Sequence, residues 1–292
     1  MSDTNFYRAF EDRYRGSREL IKSRLAVYLP FILPLKPFYG VCQGIDLGCG
    51  RGEWPELMQE NGVDVQGIDL DQGMLDAARE RGLNVSLGDA VQSLQSLASE
   101  SQMLVSGFHL AEHLSFEVLQ TLIQESIRVL KPGGLLILET PNPENIIVGS
   151  CTFYLDPTHQ QPIPSQLLSF LPEHYGFART KILRLQAPVA LSDYRTLSLK
   201  DVLEGVSPDY AVVAQKTADE SILSALDNVF ELEYGVSLGA LVDRYDKQAA
   251  HWQATESRML TVEHTLSTLY ASRSWRFTAP LRWLADRFRS KK

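Results

Sequence analysis

Cysteine is scarce in this chain, with three among 292 residues. Cys42, Cys49 and Cys151 form no C-x-x-C pair, so neither a disulfide framework nor a zinc site is indicated, and no metal is expected. Nowhere do 18 consecutive apolar residues occur, and the opening Met1-Ser2-Asp3-Thr4 leads into no apolar signal region. The expectation is a chain that is neither secreted nor membrane-spanning, working in a reduced cytoplasm. Positive charge is also short. Lys and Arg number 28 against 36 Asp and Glu, a formal net of −8. No basic, aromatic-interleaved groove is apparent before residue 273, which argues against a nucleic-acid substrate. From Arg273 onward the balance inverts, with seven basic residues against one acid, which marks the C-terminal stretch as a separate segment.

With 44% hydrophobic residues the chain can bury a sizeable core. Strand and helix patterns alternate: strand 43–47, helix 53–61, strand 64–69, helix 72–81, strand 83–87, helix 90–98, strand 102–107, helix 115–130, strand 134–140. Such alternation predicts an α/β fold, a doubly wound and mostly parallel sheet covered on both faces. A short helix at 165–174 and strands at 178–186 and 209–216 complete seven strands with an antiparallel finish. Residues 6–29 read as an amphipathic helix followed by a linker set by Pro30, Pro34 and Pro37. That helix either pads the sheet or uses Tyr7, Arg8 and Arg18 as a lid. Between Thr140 and Pro164, prolines and asparagines predict a long irregular loop suited to binding.

The stretch around which the fold is organised is Gly44-Ile45-Asp46-Leu47-Gly48-Cys49-Gly50-Arg51-Gly52-Glu53-Trp54, a buried strand, a glycine-rich turn and a helix opening. Glycine permits positive φ and leaves no Cβ between backbone and ligand, while the free N–H groups of the next helix face the same place. About 20 residues past the glycines the second strand ends in Asp69, where folds of this kind hold ribose hydroxyls. A carboxylate can accept two hydroxyl hydrogen bonds at once. The helix after the turn opens with Glu53-Trp54-Pro55. An acid at a helix N-terminus suits an ammonium- and sulfonium-bearing ligand better than a diphosphate.

Ile45-Asp46-Leu47-Gly48-Cys49-Gly50-Arg51-Gly52, Gly67-Ile68-Asp69 and Gly88-Asp89-Ala90 together resemble the successive motifs of class I S-adenosylmethionine-dependent methyltransferases. The resemblance implies a Rossmann-like fold with S-adenosyl-L-methionine as cofactor. It also implies that Gly48 and Gly50 line the methionine and ribose portion, that Asp69 holds the ribose and that Asp89 and Ala90 flank the adenine. Asp46, Cys49 and Leu70 complete the expected cofactor-binding set, with His109 packed against the cofactor. The segments 140–145, 153–160 and 168–177 are similar to those of chain-terminating methyltransferases of bacterial O-antigen polysaccharides. That family implies a glycan acceptor and a coiled coil that helps fix chain length. No kinase-type H-R-D or D-F-G set is present, so a sugar hydroxyl is the expected acceptor rather than a phosphate.

Methyl transfer to a hydroxyl needs alignment and a base. Candidates are His113 beside Glu112, His159 beside Asp156 in the long loop, and His109. The sequence leaves the choice open. A small-molecule methyltransferase of the quinone-pathway kind and a non-catalytic scaffold are the rival readings.

The first 217 residues are read as the methyltransferase domain, 218–270 as a helical, coiled-coil segment and 271–292 as a basic amphipathic tail. From Leu238 a 3-4 spacing runs through Leu241, Tyr245, Gln248, Trp252, Thr255, Met259, Val262, Leu266 and Leu269, which predicts a self-associating coiled coil with polar interruptions at Gln248 and Thr255. In the tail, Trp275, Phe277, Leu281, Trp283, Leu284 and Phe288 interleave with arginines. This pattern predicts a peripheral position beside a membrane-associated glycosyltransferase on the inner face of the cytoplasmic membrane.

Overall fold

The computed structural model describes residues 16–188, 191 and 196–289. Its elements are α1 (Arg18–Leu25), α2 (Leu29–Ile32), β1 (Gln43–Leu47), α3 (Glu53–Glu60), β2 (Asp64–Asp69), α4 (Gln72–Arg79), β3 (Val85–Leu87), α5 (Ala90–Ser96), β4 (Gln102–Phe108) and α6 (Phe116–Val129). There follow β5 (Leu130–Pro141), α7 (Ile146–Ser150), α8 (Ser165–His174), β6 (Phe177–Leu185), α9 (Leu199–Glu204), β7 (Asp209–Lys216), α10 (Glu220–Ser224), α11 (Asp227–Glu231), α12 (Leu238–Ala271), α13 (Arg273–Phe277) and α14 (Ala279–Arg289). The seven strands form one sheet in the order β3-β2-β1-β4-β5-β7-β6. β7 runs antiparallel to both neighbours, and the remaining pairs are parallel.

Side-chain alternation along the strands builds two cores. Leu136 and Leu138 of β5 and Tyr210, Val212 and Ala214 of β7 face α6 and α8 on one side. Leu135, Ile137, Ala211 and Val213 face the N-terminal helices and α3 on the other. Period-two alternation sends neighbours to opposite faces, and here both faces are apolar because both are covered. Chain reversal at β1 gives the open sheet a crevice at the C-terminal strand ends, the usual ligand position in such sheets.

Three expectations are corrected by packing. The proline-rich segment is no linker. Pro30 sits in the first turn of α2 and Pro34 opens the 3-10 stretch Leu33–Phe38, positions that need no N–H donor. Phe31, Ile32 and Leu35 are essentially fully buried there, each stabilising by about 1.5–3 kcal/mol. The 140–164 loop carries local order, since Asn145 caps α7 by accepting from the N–H groups of Ile147 and Val148, and Thr152–Leu155 form a 3-10 turn. The boundary near Thr217 falls inside continuous packing: Ile222, Leu226, Val229, Phe230 and Tyr234 join the core behind the sheet. Leu238, Leu241 and Tyr245 of α12 pack with Leu191, Leu197, Val202 and Val206.

α1 is held to α3 by charge. Arg18 pairs with Glu56 at 2.7 Å and Glu53 at 3.3 Å and donates to the Arg51 carbonyl, and Lys22 pairs with Glu60 at 2.6 Å. Arg18 is thus a clamp, while Ile21, Arg24 and Leu25 of the same helix border the crevice. Tyr7 and Arg8 lie outside the described residues.

Candidate active site

A cavity of about 610 Å³ opens at the C-terminal ends of β1, β2, β4 and β5. Its first wall is the glycine turn. Gly48, Gly50 and Gly52 have φ of 70, 52 and 80°, a region costly for residues with a Cβ. A Cβ on Gly52 would lie 2.7 Å from Leu83, so the turn also has no room for one. Asp69 stitches the turn to β2: its Oδ2 accepts the Gly50 N–H and its Oδ1 the Asp71 N–H, both at 2.8 Å. Each carboxylate oxygen keeps a further lone pair for a ligand hydroxyl. Asp46 is buried and accepts from Ser106 Oγ at 2.8 Å. Asp89 caps α5 through the Gln92 N–H, and Ala90 follows it along the rim. Leu70 is 74% exposed beside Asp69, an apolar surface at the cavity wall.

The expected cofactor residues Asp46, Gly48, Cys49, Gly50, Asp69, Leu70, Asp89, Ala90 and His109 all border this cavity. Cys49 does so with a qualification, since its thiol is buried among Leu75, Ala78, Leu83 and Val85. A Cβ on Gly67 would meet that sulfur at 2.7 Å. Cys49 therefore secures the turn by packing.

The second wall is made of side chains from the turn after β4 and the loop after β5. Gln160 N–H donates to the Glu112 carbonyl and its amide to the His113 carbonyl, both at 2.8 Å, which ties the loop over the turn. His113 and His159, rivals on sequence alone, are brought together with ring centroids 4.7 Å apart. Thr158 Oγ1 donates to Asp156 Oδ1 at 2.6 Å, and His113 Nδ1 lies 3.0 Å from the same hydroxyl. A hydroxyl has one proton, so Thr158 accepts from an Nδ1–H of His113, and Nε2 keeps the lone pair. Burial holds the His113 pKa below the ordinary imidazole value, against the opposing charge of Glu112. The neutral form of His113 is thus favoured, and its hydrogen bond defines the tautomer of that form. His159 donates its Nδ1–H to the Phe153 carbonyl at 2.6 Å and braces His113 from behind.

His109 differs. It adopts φ 54° at the end of β4, a conformation costing roughly 1–3 kcal/mol. Its Nδ1 is 3.2 Å from the fully buried Glu112 and its Nε2 3.7 Å from Glu139. Partial desolvation opposes its charged form, although the side chain is 43% exposed, and the two carboxylates outweigh it and raise its pKa well above the ordinary value. This placement between two carboxylates favours the protonated form of His109.

Several site residues escaped the sequence reading. Glu139 accepts from the Tyr28 hydroxyl, and Asp209 faces the same part of the cavity with its pKa pushed up by burial to about 6. Gln186, at φ 59°, and Arg24 complete the rim. The signal for Glu139 was present, as an acid closing the apolar run Leu135-Leu136-Ile137-Leu138 at the ligand-binding end of a strand. Asp209, Gln186 and Arg24 had none.

Eight carboxylates and one arginine line the cavity among the described residues. That imbalance, with the apolar faces of Leu70, Trp54 and Phe108, fits a cationic, nucleoside-like ligand. Two groups could also hold a small cation: Glu112, His113 and His159, and His109, Glu139 and Asp209, each offering ligand atoms within 4.8 Å of one another.

A family model described as a methyltransferase domain matches residues 45–134. A crystal structure of an S-adenosylmethionine-dependent methyltransferase from Archaeoglobus fulgidus is 32% identical, with a TM-score of 0.63, covering 72% of this chain and 100% of that one. A probable S-adenosylmethionine-dependent methyltransferase of Mycolicibacterium smegmatis is 30% identical over 139 residues, 47% of this chain and 53% of that protein. A ubiquinone biosynthesis O-methyltransferase of Xanthomonas oryzae pv. oryzae is 37% identical over 103 residues, 34% of this chain and 42% of that one. The chain thus spans about half the length of the curated relatives it matches.

Proposed function

Because the chain belongs to the class I S-adenosylmethionine-dependent methyltransferases, we propose that it transfers the methyl group to a hydroxyl oxygen, with His113 as general base. The observation that carries this reading is the Asp156–Thr158–His113 chain, which leaves an unprotonated Nε2 at the cavity wall. S-adenosylmethionine, when bound, supplies a methyl carbon made electrophilic by its sulfonium. The glycine turn and Asp69 would hold its ribose end, and the acidic lining would favour its positive charge. Nε2 of His113 takes the hydroxyl proton as the oxygen attacks, and the positive charge that develops on the ring is balanced by Glu112 and Asp156. The His109 imidazolium neutralises Glu112 and Glu139, which would otherwise repel a developing oxyanion.

The acceptor proposed is the terminal sugar of a bacterial surface polysaccharide, so that methylation caps the chain and limits its length. Support comes from the resemblance of the segments 140–145, 153–160 and 168–177, and from the long outward helix and basic tail. Among the described residues no helix is long and apolar enough to cross a membrane. In this proposal the tail docks at an anionic membrane surface beside a membrane-associated glycosyltransferase: Phe277, Leu281 and Trp283 are 89, 67 and 60% exposed among Arg273, Arg276, Arg282 and Arg287. The Xanthomonas relative favours a second reading, a phenolic quinone precursor as acceptor. Methyl transfer assayed on a panel of purified glycan termini and on a catechol-type quinone precursor separates the two. Turnover confined to the phenol overturns the glycan reading, and turnover on neither, despite cofactor binding by calorimetry, overturns both.

A further inference from the structure

Asp209 opens β7 and pairs antiparallel with Pro141 of β5, which sets it diagonally across from Glu139 on the same face. His109 joins them from the end of β4, where its N–H donates to the Glu139 carbonyl at 2.8 Å. All three side chains border the cavity, and their ligand atoms lie within 4.8 Å of one another. Their hydrogen bonding is incomplete. Among the described residues no donor is bonded to the Asp209 carboxylate, although the charge of His109 acts on it. Each ring nitrogen of His109 faces a carboxylate and so carries a proton best, yet Nε2 is 3.7 Å from Glu139, beyond hydrogen-bond range. One donor and one acceptor therefore stand open side by side.

That pairing selects the occupant. A cation would meet the Nε2–H of His109, and an anion would meet two carboxylates. A neutral group that both donates and accepts fits, and a hydroxyl does both from a single atom. It would donate to Asp209 and accept from His109. The cluster also lies next to the proposed base: Oε1 of Glu112 is 3.2 Å from His109 Nδ1 and 4.0 Å from Nε2 of His159, whose ring touches that of His113. On the premise of hydroxyl transfer at His113, we infer that Asp209, with His109 and Glu139, holds a second hydroxyl of the methyl acceptor. The substrate class is then a ring with more than one hydroxyl, as in a sugar or a diphenol. An acceptor with a single hydroxyl would leave these buried polar groups unpaired, the reason such sites reject an analogue lacking the hydroxyl.

Calorimetry on the full chain saturated with S-adenosylhomocysteine tests this with small probes. The parent is expected to bind inositol, a sugar-like ring, or catechol, a phenolic one. Asp209→Ala is expected to weaken that diol about tenfold or more, the effect of one hydrogen bond to a charged group, and to leave its single-hydroxyl counterpart, cyclohexanol or phenol, within about twofold. Asp209→Asn, which keeps one acceptor oxygen, is expected to bind the diol with intermediate affinity. Unchanged S-adenosylhomocysteine affinity shows that both variants are folded. Equal weakening of diol and single-hydroxyl probe, no weakening of either, or a parent that binds neither diol overturns the assignment. So does Mg²⁺ binding to the parent that Asp209→Ala abolishes. Any of these results with methyl transfer retained leaves His113 as base; the expected diol preference without turnover on any acceptor overturns the transfer reading alone.

Discussion

The cavity's two walls are built from different material. The wall proposed to hold the cofactor is backbone: three left-handed glycines, a carboxylate bound to two main-chain N–H groups and a capped helix, all within the contiguous β1–β3 half. The wall proposed to face the acceptor is side chains drawn from residues 109–113, 139–140 and 152–160 and fastened to one another by Thr158, Gln160 and Glu112. Backbone geometry suits a ligand shared by many enzymes, because it depends on local turn chemistry. Side chains on loops suit a ligand that varies, because a single substitution retunes them.

Substitutions on the two walls should separate in kinetics. His113→Gln is expected to lower kcat about 10²-fold or more with cofactor affinity intact. The same loss in His159→Gln, with His113→Gln active, would move the base to the loop. Asp69→Ala should weaken S-adenosylhomocysteine binding by about 1.5–3 kcal/mol per lost hydrogen bond, read by calorimetry. Binding within twofold of the parent removes Asp69 from the ribose site. Thr158→Val, which frees the His113 tautomer without touching the cofactor wall, should cost kcat about tenfold and leave cofactor affinity unchanged.

pH sharpens the contrast. His113 has a lowered pKa, so its base form persists below the ordinary imidazole range and the acid limb of kcat/KM should fall below roughly pH 6.5. His109 has a raised pKa, so its contribution to stability is fully present below about pH 6.5 and is lost as pH rises through its folded value. Thermal melts of the parent and His109→Asn should therefore converge at high pH. The smallest expected effect is none: EDTA should leave turnover unchanged. Activity lost to EDTA and restored by a divalent ion would assign Glu112, His113 and His159 to a metal instead.

What was legible in the sequence follows from the range of the interactions involved. Strand 43–47, the glycine turn, Asp69 and the Asp89 cap are local features, so residue type and spacing determined the cofactor wall and the parallel half of the sheet. His113 and His159 were visible as reactive residues but not as neighbours, since 45 positions separate Thr158 from the histidine it orients. Gln248 shows the same limit. Its place in a heptad marked it as an interruption, yet only the docking of α12 against Leu197 revealed it as a domain contact. Periodicity along one helix states which face is apolar. Which neighbour covers that face, and which lone pair a histidine leaves free, depends on segments distant in sequence and was decided by tertiary structure.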